Sequence, residues 1–412
     1  MNVVGSAYSA AVSYRSVLRQ ATLADGRRVD VAIDAGLITV IAEALPRDDD
    51  GDDVDLDGYL LLTAAVEPHA HLDKAFLADV VANEQGDLAG AITAMQAARG
   101  RLSVADTIGR AERAARLMAA NGFRAVRTHA DVTLDNGLAS VEALVEVRRR
   151  LVDVIDIEIV ALADHPIVGP EGDRARGLVR DALAAGADIV GGCPHLEPSR
   201  DTLAATEALL EIAADRGVGV DLHTDETLDA SVDGLAHLAQ TVTRTGFEHP
   251  VTASHCVSLG SRSPADQRRI ADAVAAAGIC VIALPATNLY LQGRDRQEAM
   301  PRGITAVRAL RDAGVTVAAG ADNLHDPFNP FGRACPFETA ALMVWTTHLL
   351  PSQAWACVTE HAATATGRQP SSISAAQPAD LLAVRAGSLR EALAFGPADR
   401  IVWRAGQRQQ RL

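Results

Sequence analysis

The chain has 412 residues, 48% of them hydrophobic, and a net charge of −15 at pH 7. Such an acidic chain, which has no basic stripe, argues against nucleic acid as a partner, and no apolar run reaches the roughly 18 residues of a membrane span. The N-terminus lacks the segments of a signal peptide, and the five cysteines lack the spacing of a disulfide or zinc framework. The sequence predicts a soluble cytoplasmic protein.

Short strand-like segments between Gly and Asp turns fill the first 60 residues, and two similar segments lie near the C-terminus. We expect residues 1–60 and 376–412 to form one small β-sandwich domain. Residues 61–375 would then form the central body.

Within this body, eight apolar segments of strand length alternate with Ala-rich amphipathic segments. The strand-like segments are 60–66, 125–129, 155–163, 188–192, 218–223, 251–255, 280–285 and 315–321. Eight βα units are the number found in a TIM barrel. The sequence therefore predicts an α/β fold, a (β/α)8 TIM barrel with the small β-sandwich domain formed by the N- and C-terminal segments.

Histidines and carboxylates recur at the ends of these predicted strands, where a TIM barrel places its active site. They are His69 and His71, His129 and Asp131, Asp164 and His165, His195 and Glu197, His223 and Glu226, His255, and Asp322. Two histidines separated by one residue of a strand point to the same side. Imidazole and carboxylate groups are also common metal ligands. This recurrence predicts a metal site.

Several motifs resemble those of the amidohydrolase superfamily and, within it, the cytosine deaminase-like branch. They are EPHAHLD at 67–73, RTHAD at 127–131, VDLHTDE at 220–226, VTASH at 251–255 and GADN at 320–323. The resemblance implies that His69, His71, His223 and Asp322 bind one divalent ion, either Zn²⁺ or Fe²⁺. It also implies that Glu226 shuttles protons and that Asp322 accepts the proton of the attacking water. His255 would orient or polarise that water and, as a hydrogen-bond donor, would stabilise the charge that develops on oxygen.

The reaction implied by this resemblance is the hydrolytic deamination of an aminated nitrogen heterocycle, such as a cytosine-like pyrimidine, a pterin or a triazine. Water activated by the ion would attack the ring carbon that bears the amino group, and ammonia or an amine would leave. Binuclear members of the superfamily bridge two ions with a carboxylated lysine at the end of strand four. This chain has Cys193-Pro194-His195 there, so a mononuclear site is implied.

Lys74 is the only lysine among the 38 basic residues, and it directly follows the His-x-His-Leu-Asp run. Either the site needs a compact ammonium group at this position, or codon bias has left one lysine by chance. Lys74 would pair with Asp73 or Asp164, or would contact a substrate oxygen.

The residues predicted to bind the substrate are Lys74, Asp164, His195, Gln292 and Asn323. Cytosine deaminases carry a glutamine near the end of strand three, where this chain has Asp164 or else His165. A carboxylate only accepts hydrogen bonds, which favours a substrate that offers N–H groups. His129 and Asp131 either hold a ligand imidazole in place or are ordinary strand-end residues.

Two other functions stay open at this point. Hydrolysis of a cyclic amide, such as a hydantoin or a lactam, would use the same fold, although Glu226 close to His223 argues against it. A non-catalytic metal-binding barrel is opposed by the presence of every ligand and acid–base position. The resemblance is also compatible with a homo-oligomer.

Overall fold

The computed structural model describes residues 16–47 and 52–409. The strands, numbered in chain order, are β1 (Ser16–Leu23), β2 (Arg28–Asp34), β3 (Leu37–Ala42), β4 (Asp52–Asp55), β5 (Tyr59–Thr63), β6 (Ala65–Ala70), β7 (Phe123–Val132), β8 (Asp156–Ala163), β9 (Ile189–Gly192), β10 (Val220–Thr224), β11 (Val251–His255), β12 (Cys280–Ala283), β13 (Val317–Ala319), β14 (Leu381–Arg385), β15 (Arg400–Arg404) and β16 (Gln407–Arg408).

The α-helices, numbered in the same way, are α1 (Leu88–Ala98), α2 (Val104–Ala120), α3 (Ala139–Arg150), α4 (Asp173–Ala184), α5 (Thr202–Arg216), α6 (Gly234–Thr245), α7 (Val257–Gly260), α8 (Pro264–Ala276), α9 (Pro285–Leu291), α10 (Val307–Asp312), α11 (Pro336–Thr347), α12 (Pro351–Val358), α13 (Glu360–Ala365) and α14 (Leu389–Phe395). No helix in the described ranges is both long and apolar enough to cross a membrane.

The two ends of the chain share one β-domain, as predicted. Among the described residues this unit contains 16–63, 371–392 and 397–409. Its mixed sheet has the strand order β16-β15-β14-β5-β1-β2-β3, with β4 paired to β1. The antiparallel pairing of β14 with β5 joins the C-terminal segment to the N-terminal one. Leu18, Ile38, Leu61 and Trp403 belong to its buried core.

The second compact unit is the predicted (β/α)8 barrel. Strands β6 to β13 are parallel to their neighbours and follow one another in chain order around the sheet, and helices follow every strand. Most residues of these strands are buried, as expected for a parallel sheet covered by helices. The C-terminal ends of the strands therefore meet on one face of the barrel.

The barrel closes where β6 meets the segment after β13. Asp322 donates its backbone N–H to His69 O over 3.0 Å, and His71 donates to Asp322 O over 3.3 Å. The buried Glu67 carboxylate accepts the N–H of Ala321 on both oxygens, each at 3.1 Å, and that of His69 at 3.2 Å. We call these contacts of residues 67–71 with residues 320–322 the seam. The seam therefore holds the predicted metal ligands His69 and His71 next to a third, Asp322.

One predicted strand divides into two. The sequence predicts the apolar segment 60–66 as the first barrel strand, but β5 lies in the terminal sheet and only β6 belongs to the barrel. Both strands are buried along nearly their whole length, so hydrophobic periodicity could not separate them. The structural division between the two units falls between Thr63 and Ala64.

Candidate active site

The strand ends of the barrel open into a cavity of about 830 Å³, its open mouth included. Its polar lining includes Lys74, Asp164, Glu226 and Asn323 together with three of the clustered histidines. Its apolar lining comes largely from one face of α1, with Leu88, Ile92 and Met95, and from Leu196 and Phe328. An apolar wall that faces a few fixed polar groups is typical of a small-molecule site.

The structure brings the four predicted metal ligands together. His71 Nε2 lies 3.2 Å from His223 Nε2 and 3.3 Å from Asp322 Oδ1, and His69 Nε2 lies 3.6 Å from Asp322 Oδ1. Among the described residues, His69 Nε2 and both Asp322 carboxylate oxygens are buried and have no hydrogen-bond partner. Buried polar atoms are rarely left without a partner, so these atoms suit a cation.

The protonation states of these ligands fit a divalent ion. Burial lowers the pKa of His71, assisted by the Lys74 charge, and burial with the neighbouring imidazoles lowers the pKa of His223 well below its ordinary value. Burial alone would raise the pKa of Asp322, but the facing histidines hold it below its usual range. Neutral imidazoles and an ionised carboxylate form a donor set that Zn²⁺ and Fe²⁺ both accept.

The ring of His69 is held at its Nδ1 atom by a chain of hydrogen bonds. Its Nδ1 lies 2.9 Å from Ser254 Oγ, and that hydroxyl donates to Asp221 Oδ1 over 2.8 Å. Arg127 donates to the other oxygen of Asp221 over 3.0 Å. Because Asp221 only accepts, the hydroxyl points toward it, and His69 carries its proton on Nδ1. This tautomer leaves Nε2 free to bind a metal.

Glu226 and His255 lie beside this cluster. His255 Nδ1 is 3.1 Å from Asn288 Oδ1 and 3.7 Å from Glu226 Oε1, whereas His255 Nε2 faces Asp322 Oδ2 at 3.9 Å. Burial lowers the pKa of His255 to about 4. Burial, and next the negative charge of Asp322, raise the pKa of Glu226 well above its ordinary value. Burial therefore favours a neutral imidazole on His255 and favours the protonated form of the neighbouring Glu226 carboxyl group.

Three residues at or shortly after strand ends have left-handed backbone, and two of them, His255 and Asp322, belong to the site. Asp225, His255 and Asp322 have φ values of 51°, 68° and 64°, in a region that non-glycine residues seldom occupy. Hydrogen bonds to the Asp225 carboxylate from the backbone of Gly234 and Leu235 fix one of these bends. Such conformations cost energy and concentrate at functional sites.

Lys74 is part of a buried ionic network with Asp73, Asp131 and Arg99. Its Nζ lies 2.6 Å from Asp131 Oδ1 and 3.3 Å from Asp73 Oδ1, and Arg99 Nη2 lies 3.3 Å from Asp131 Oδ2. Lys74 Nζ also lies 3.3 Å from Nδ1 of the predicted ligand His71. Of the two predicted acidic partners of Lys74, Asp73 is thus in contact with it.

The amidohydrolase family model matches residues 103–408. The chain belongs to the amidohydrolase family. It is 32% identical over 385 residues to a pterin deaminase of Rhizobium rhizogenes, which covers 92% of this chain and 87% of the relative. The family membership makes the chain a hydrolase of carbon–nitrogen bonds.

Two solved structures resemble this amidohydrolase over almost its whole length. A 5-methylcytosine deaminase of Klebsiella pneumoniae, bound to 5-fluorocytosine, has a TM-score of 0.86 at 29% identity and covers 96% of this chain and 97% of the other. An N-isopropylammelide isopropylaminohydrolase of Burkholderia multivorans has a TM-score of 0.81 at 28% identity, with coverage of 96% and 98%. These relatives confirm the cytosine deaminase-like branch.

The predicted substrate contacts of this amidohydrolase divide into two groups. Lys74, Asp164 and Asn323 line the cavity, whereas His195 and Gln292 are not among the described residues that line it. His195 Nδ1 lies 3.2 Å from the backbone oxygen of His223, and Gln292 Nε2 donates to that of Glu226 over 3.3 Å. In this structure the two therefore contact the backbone of site residues.

The alternatives for His129 and Asp131 are also distinguished by their contacts. Asp131 binds Lys74 and Arg99 and does not hold an imidazole. His129 is fully buried, and its ring centroid lies 4.0 Å from that of His69. Neither of its ring nitrogens has a hydrogen-bond partner within the described part of the chain, so His129 packs against a predicted ligand.

Sequence reasoning did not find four residues that shape this site, namely Arg99, Ser254, Asp221 and Asn288. Arg99 follows a helix and resembles a surface arginine in the sequence. Ser254 and Asp221 contact the site through the register of neighbouring barrel strands, which pairs Ser254 with His223, whereas Asn288 contacts His255 from helix α9. Ser254 does directly precede His255, and this adjacency was the available signal.

Proposed function

We propose that this amidohydrolase is a mononuclear, metal-dependent deaminase of an aminated nitrogen heterocycle that releases ammonia or a small amine. The observation that carries the proposal is the buried Glu226, which lines the cavity 3.7 Å from His255 and beside the converging side chains of His71, His223 and Asp322. Its relatives are described as acting on a pterin, on 5-methylcytosine and on N-isopropylammelide. All three compounds are amino-substituted nitrogen heterocycles, which supports this substrate class.

His69, His71, His223 and Asp322 would hold the ion, which when bound supplies Lewis acidity and lowers the pKa of water from 15.7 toward about 7. Asp322 Oδ2 is the base positioned to accept a proton from the attacking water. His255 donates through Nδ1 to Asn288, so its Nε2 is an acceptor that can orient this water. The structure thus favours an acceptor role for His255 over a donor role.

Glu226 supplies the proton that the heterocycle needs. Its carboxyl group is buried, and burial raises its pKa well above the ordinary value, which favours the protonated form that can transfer a proton to the ring nitrogen next to the attacked carbon. This makes the carbon more electrophilic, and a proton can pass to the departing amino group as the carbon–nitrogen bond breaks. Gln292 contributes by holding the backbone oxygen of Glu226.

A single ion suits the residues at the end of β9. A second ion would need a bridging carboxylated lysine, and the chain has Cys193 there and one lysine in total. That lysine is held by Asp131 and Asp73. We propose Zn²⁺ or Fe²⁺ as the resident metal, to be identified by metal analysis of protein purified without chelator.

The test is ammonia or amine release by protein reconstituted separately with Zn²⁺ and Fe²⁺. The substrates are cytosine, 5-methylcytosine, pterin, ammelide-type triazines and two cyclic amides, and Glu226→Gln protein is the blank. Release from one ring class by the wild type alone supports the proposal. Ring opening of a cyclic amide without ammonia would instead make the protein a cyclic amidohydrolase.

A further inference from the structure

The sequence predicts that Asp164 contacts the substrate, but in the structure its carboxylate already accepts two backbone hydrogen bonds. Its Oδ2 accepts the backbone N–H of Leu134 over 3.0 Å, and its Oδ1 accepts that of His165 over 2.9 Å. These two amides fix the carboxylate against the backbone of the loops after β7 and β8. The imidazole of the next residue, His165, lies instead beside a buried carboxylate.

The ring of His165 lines the same cavity as Glu226 and lies against a buried acid. Its Nδ1 is 3.7 Å from Glu197 Oε2, and the Glu197 side chain is only 2% exposed. The same Oε2 accepts the backbone N–H of Ile167 over 2.9 Å, which fixes the carboxylate in place. His165 Nδ1 is buried and has no hydrogen-bond partner in the described residues, although the side chain as a whole is 19% exposed. His165 Nε2, by contrast, is not among the buried ring nitrogens that lack a partner in the described residues, which places Nε2 on the more exposed side of the ring.

This arrangement selects one tautomer of His165. Burial lowers its pKa despite the opposing charges of Glu197 and Asp164, so the imidazole is neutral. The single ring proton is favoured on Nδ1, because among the described residues Nδ1 is the ring nitrogen with a carboxylate oxygen within 4 Å, Glu197 Oε2 at 3.7 Å. Nε2, on the more exposed side of a residue that lines the cavity, then carries the free lone pair.

We propose that His165, oriented by Glu197, is the specificity-determining residue that accepts a hydrogen bond from a ring N–H of the substrate. This inference rests on the proposed deaminase function and narrows its substrate class. The preferred substrate is an amino-oxo heterocycle that keeps a ring N–H, as cytosine and pterin do. His165 contacts the substrate, Glu197 acts only as a positioning residue, and Asp164 supports the loop.

The experiment compares each parent heterocycle with its ring N-methyl derivative, using cytosine with 1-methylcytosine and pterin with 3-methylpterin. The measured quantity is the ratio of kcat/KM for parent and derivative in metal-reconstituted wild type, His165→Leu, His165→Gln and Asp164→Asn. Leucine keeps an apolar side chain near the substrate ring but has no hydrogen-bond acceptor, whereas glutamine provides an acceptor oxygen. A purely steric effect of the methyl group would therefore persist in His165→Leu.

For a parent that the wild type deaminates, we expect His165→Leu to lower kcat/KM by about 10- to 100-fold, the range for losing a hydrogen bond to a buried group. The loss should lie mainly in KM, because the contact exists in both the ground state and the transition state. In His165→Leu, kcat/KM for the N-methyl derivative should change little, so the ratio of parent to derivative should fall sharply. His165→Gln should restore part of the wild-type ratio, and Asp164→Asn should keep that ratio.

Glu197→Gln tests the positioning role separately. Glutamine keeps an oxygen for Ile167 but can turn an NH₂ group toward Nδ1, which would move the ring proton to Nε2. We expect kcat/KM for the parent to fall about 5- to 10-fold with unchanged thermal unfolding, and the ¹⁵N shifts of His165 to report the other tautomer.

The outcomes separate this inference from the function on which it rests. A wild-type ratio that persists in His165→Leu, or that collapses equally in Asp164→Asn, would overturn the role of His165 while leaving the deaminase intact. Wild-type protein that releases no ammonia from cytosine, pterin or a triazine would overturn the proposed function, and this inference with it.

Discussion

Glu226 and His255 are neighbours in the cavity but hold protons in opposite ways. Burial raises the pKa of Glu226 well above its usual range and lowers that of His255 to about 4. Asn288 fixes the one ring proton of His255 on the side away from Asp322. Near pH 7 the pair therefore offers one acid and one acceptor, which is the division that hydrolytic deamination needs.

The first prediction concerns the acid. We expect Glu226→Gln to lower kcat by about 10²-fold or more, because an amide cannot transfer a proton, while the bound metal stays unchanged. Product formation and metal content are measured on the same preparation. Glu211→Gln, an exposed change on α5, is the matched control and should be fully active. A wild-type kcat in Glu226→Gln would remove this residue from proton transfer.

The second prediction concerns the support of His69. Ser254→Ala removes the hydroxyl that accepts the Nδ1–H of His69, so the ring is no longer held for metal binding. We expect metal affinity to fall about 10- to 100-fold, the usual cost of losing such a partner, as measured by competition with a chelator. Ser263→Ala removes only the N-cap of α8 and should leave the affinity unchanged. Equal affinity in both variants would show that Ser254 does not orient the ligand.

At the scale of elements, the ionic network around Lys74 joins two strand ends and a helix end. Asp73 and Lys74 follow β6, Asp131 lies near the end of β7, and Arg99 follows α1. Asp73 also accepts the backbone N–H of Asp131 over 3.0 Å. Removing one partner of a buried ionic group leaves an uncompensated charge. The network therefore fixes the apolar wall of the cavity, formed by α1, relative to the strands that carry the histidines.

The third prediction gives this network a pH dependence. Burial would raise the pKa of Asp131, but the charges of Lys74 and Arg99 lower it to about 2, against about 3.9 in an unfolded chain. The depressed value contributes about 2 kcal/mol to the free energy of unfolding above pH 4, which is lost as the pH falls from about 4 to 2. Urea unfolding at several pH values should show a flatter acid limb in Asp131→Asn. Parallel acid limbs in the two proteins would contradict this assignment.

Strand ends were predictable from the sequence, because each apolar run stops at a polar residue and a barrel gathers those ends on one face. His69, His71, His223, His255 and Asp322 were found in this way. The roles of Asp164 and Ser254 were not predictable, because they depend on backbone amides and strand register that only the folded chain brings together. The division of residues 60–66 was missed because both of the resulting strands are buried, and burial hides the alternation that marks a strand of an open sheet.

At the scale of the whole molecule, the seam does more than close the barrel. Most neighbouring strands pair through ladders of three or more residues, whereas β6 meets the last segment through one bridge, between Ala70 and Asp322. The Glu67 carboxylate supplements this bridge by holding the amide of Ala321. Closure of the fold and placement of Asp322 therefore depend on the same contacts.

Gly320 makes this dependence testable, because a Cβ atom there would lie 2.5 Å from Glu67 Oε1 and 3.2 Å from His69 O. Gly320→Ala must displace the carboxylate or the strand, so we expect a loss of about 1–3 kcal/mol in the free energy of unfolding and weaker metal binding. Gly109→Ala is the matched control, since a Cβ atom at this position of α2 would have no described residue within 4 Å beyond its own helix and chain neighbours, and alanine should stabilise that helix by about 0.5–1 kcal/mol. If Gly320→Ala lowers stability but leaves metal affinity at the wild-type value, the seam closes the barrel without positioning Asp322. If it changes neither, the contacts of Glu67 with residues 320–322 serve neither purpose.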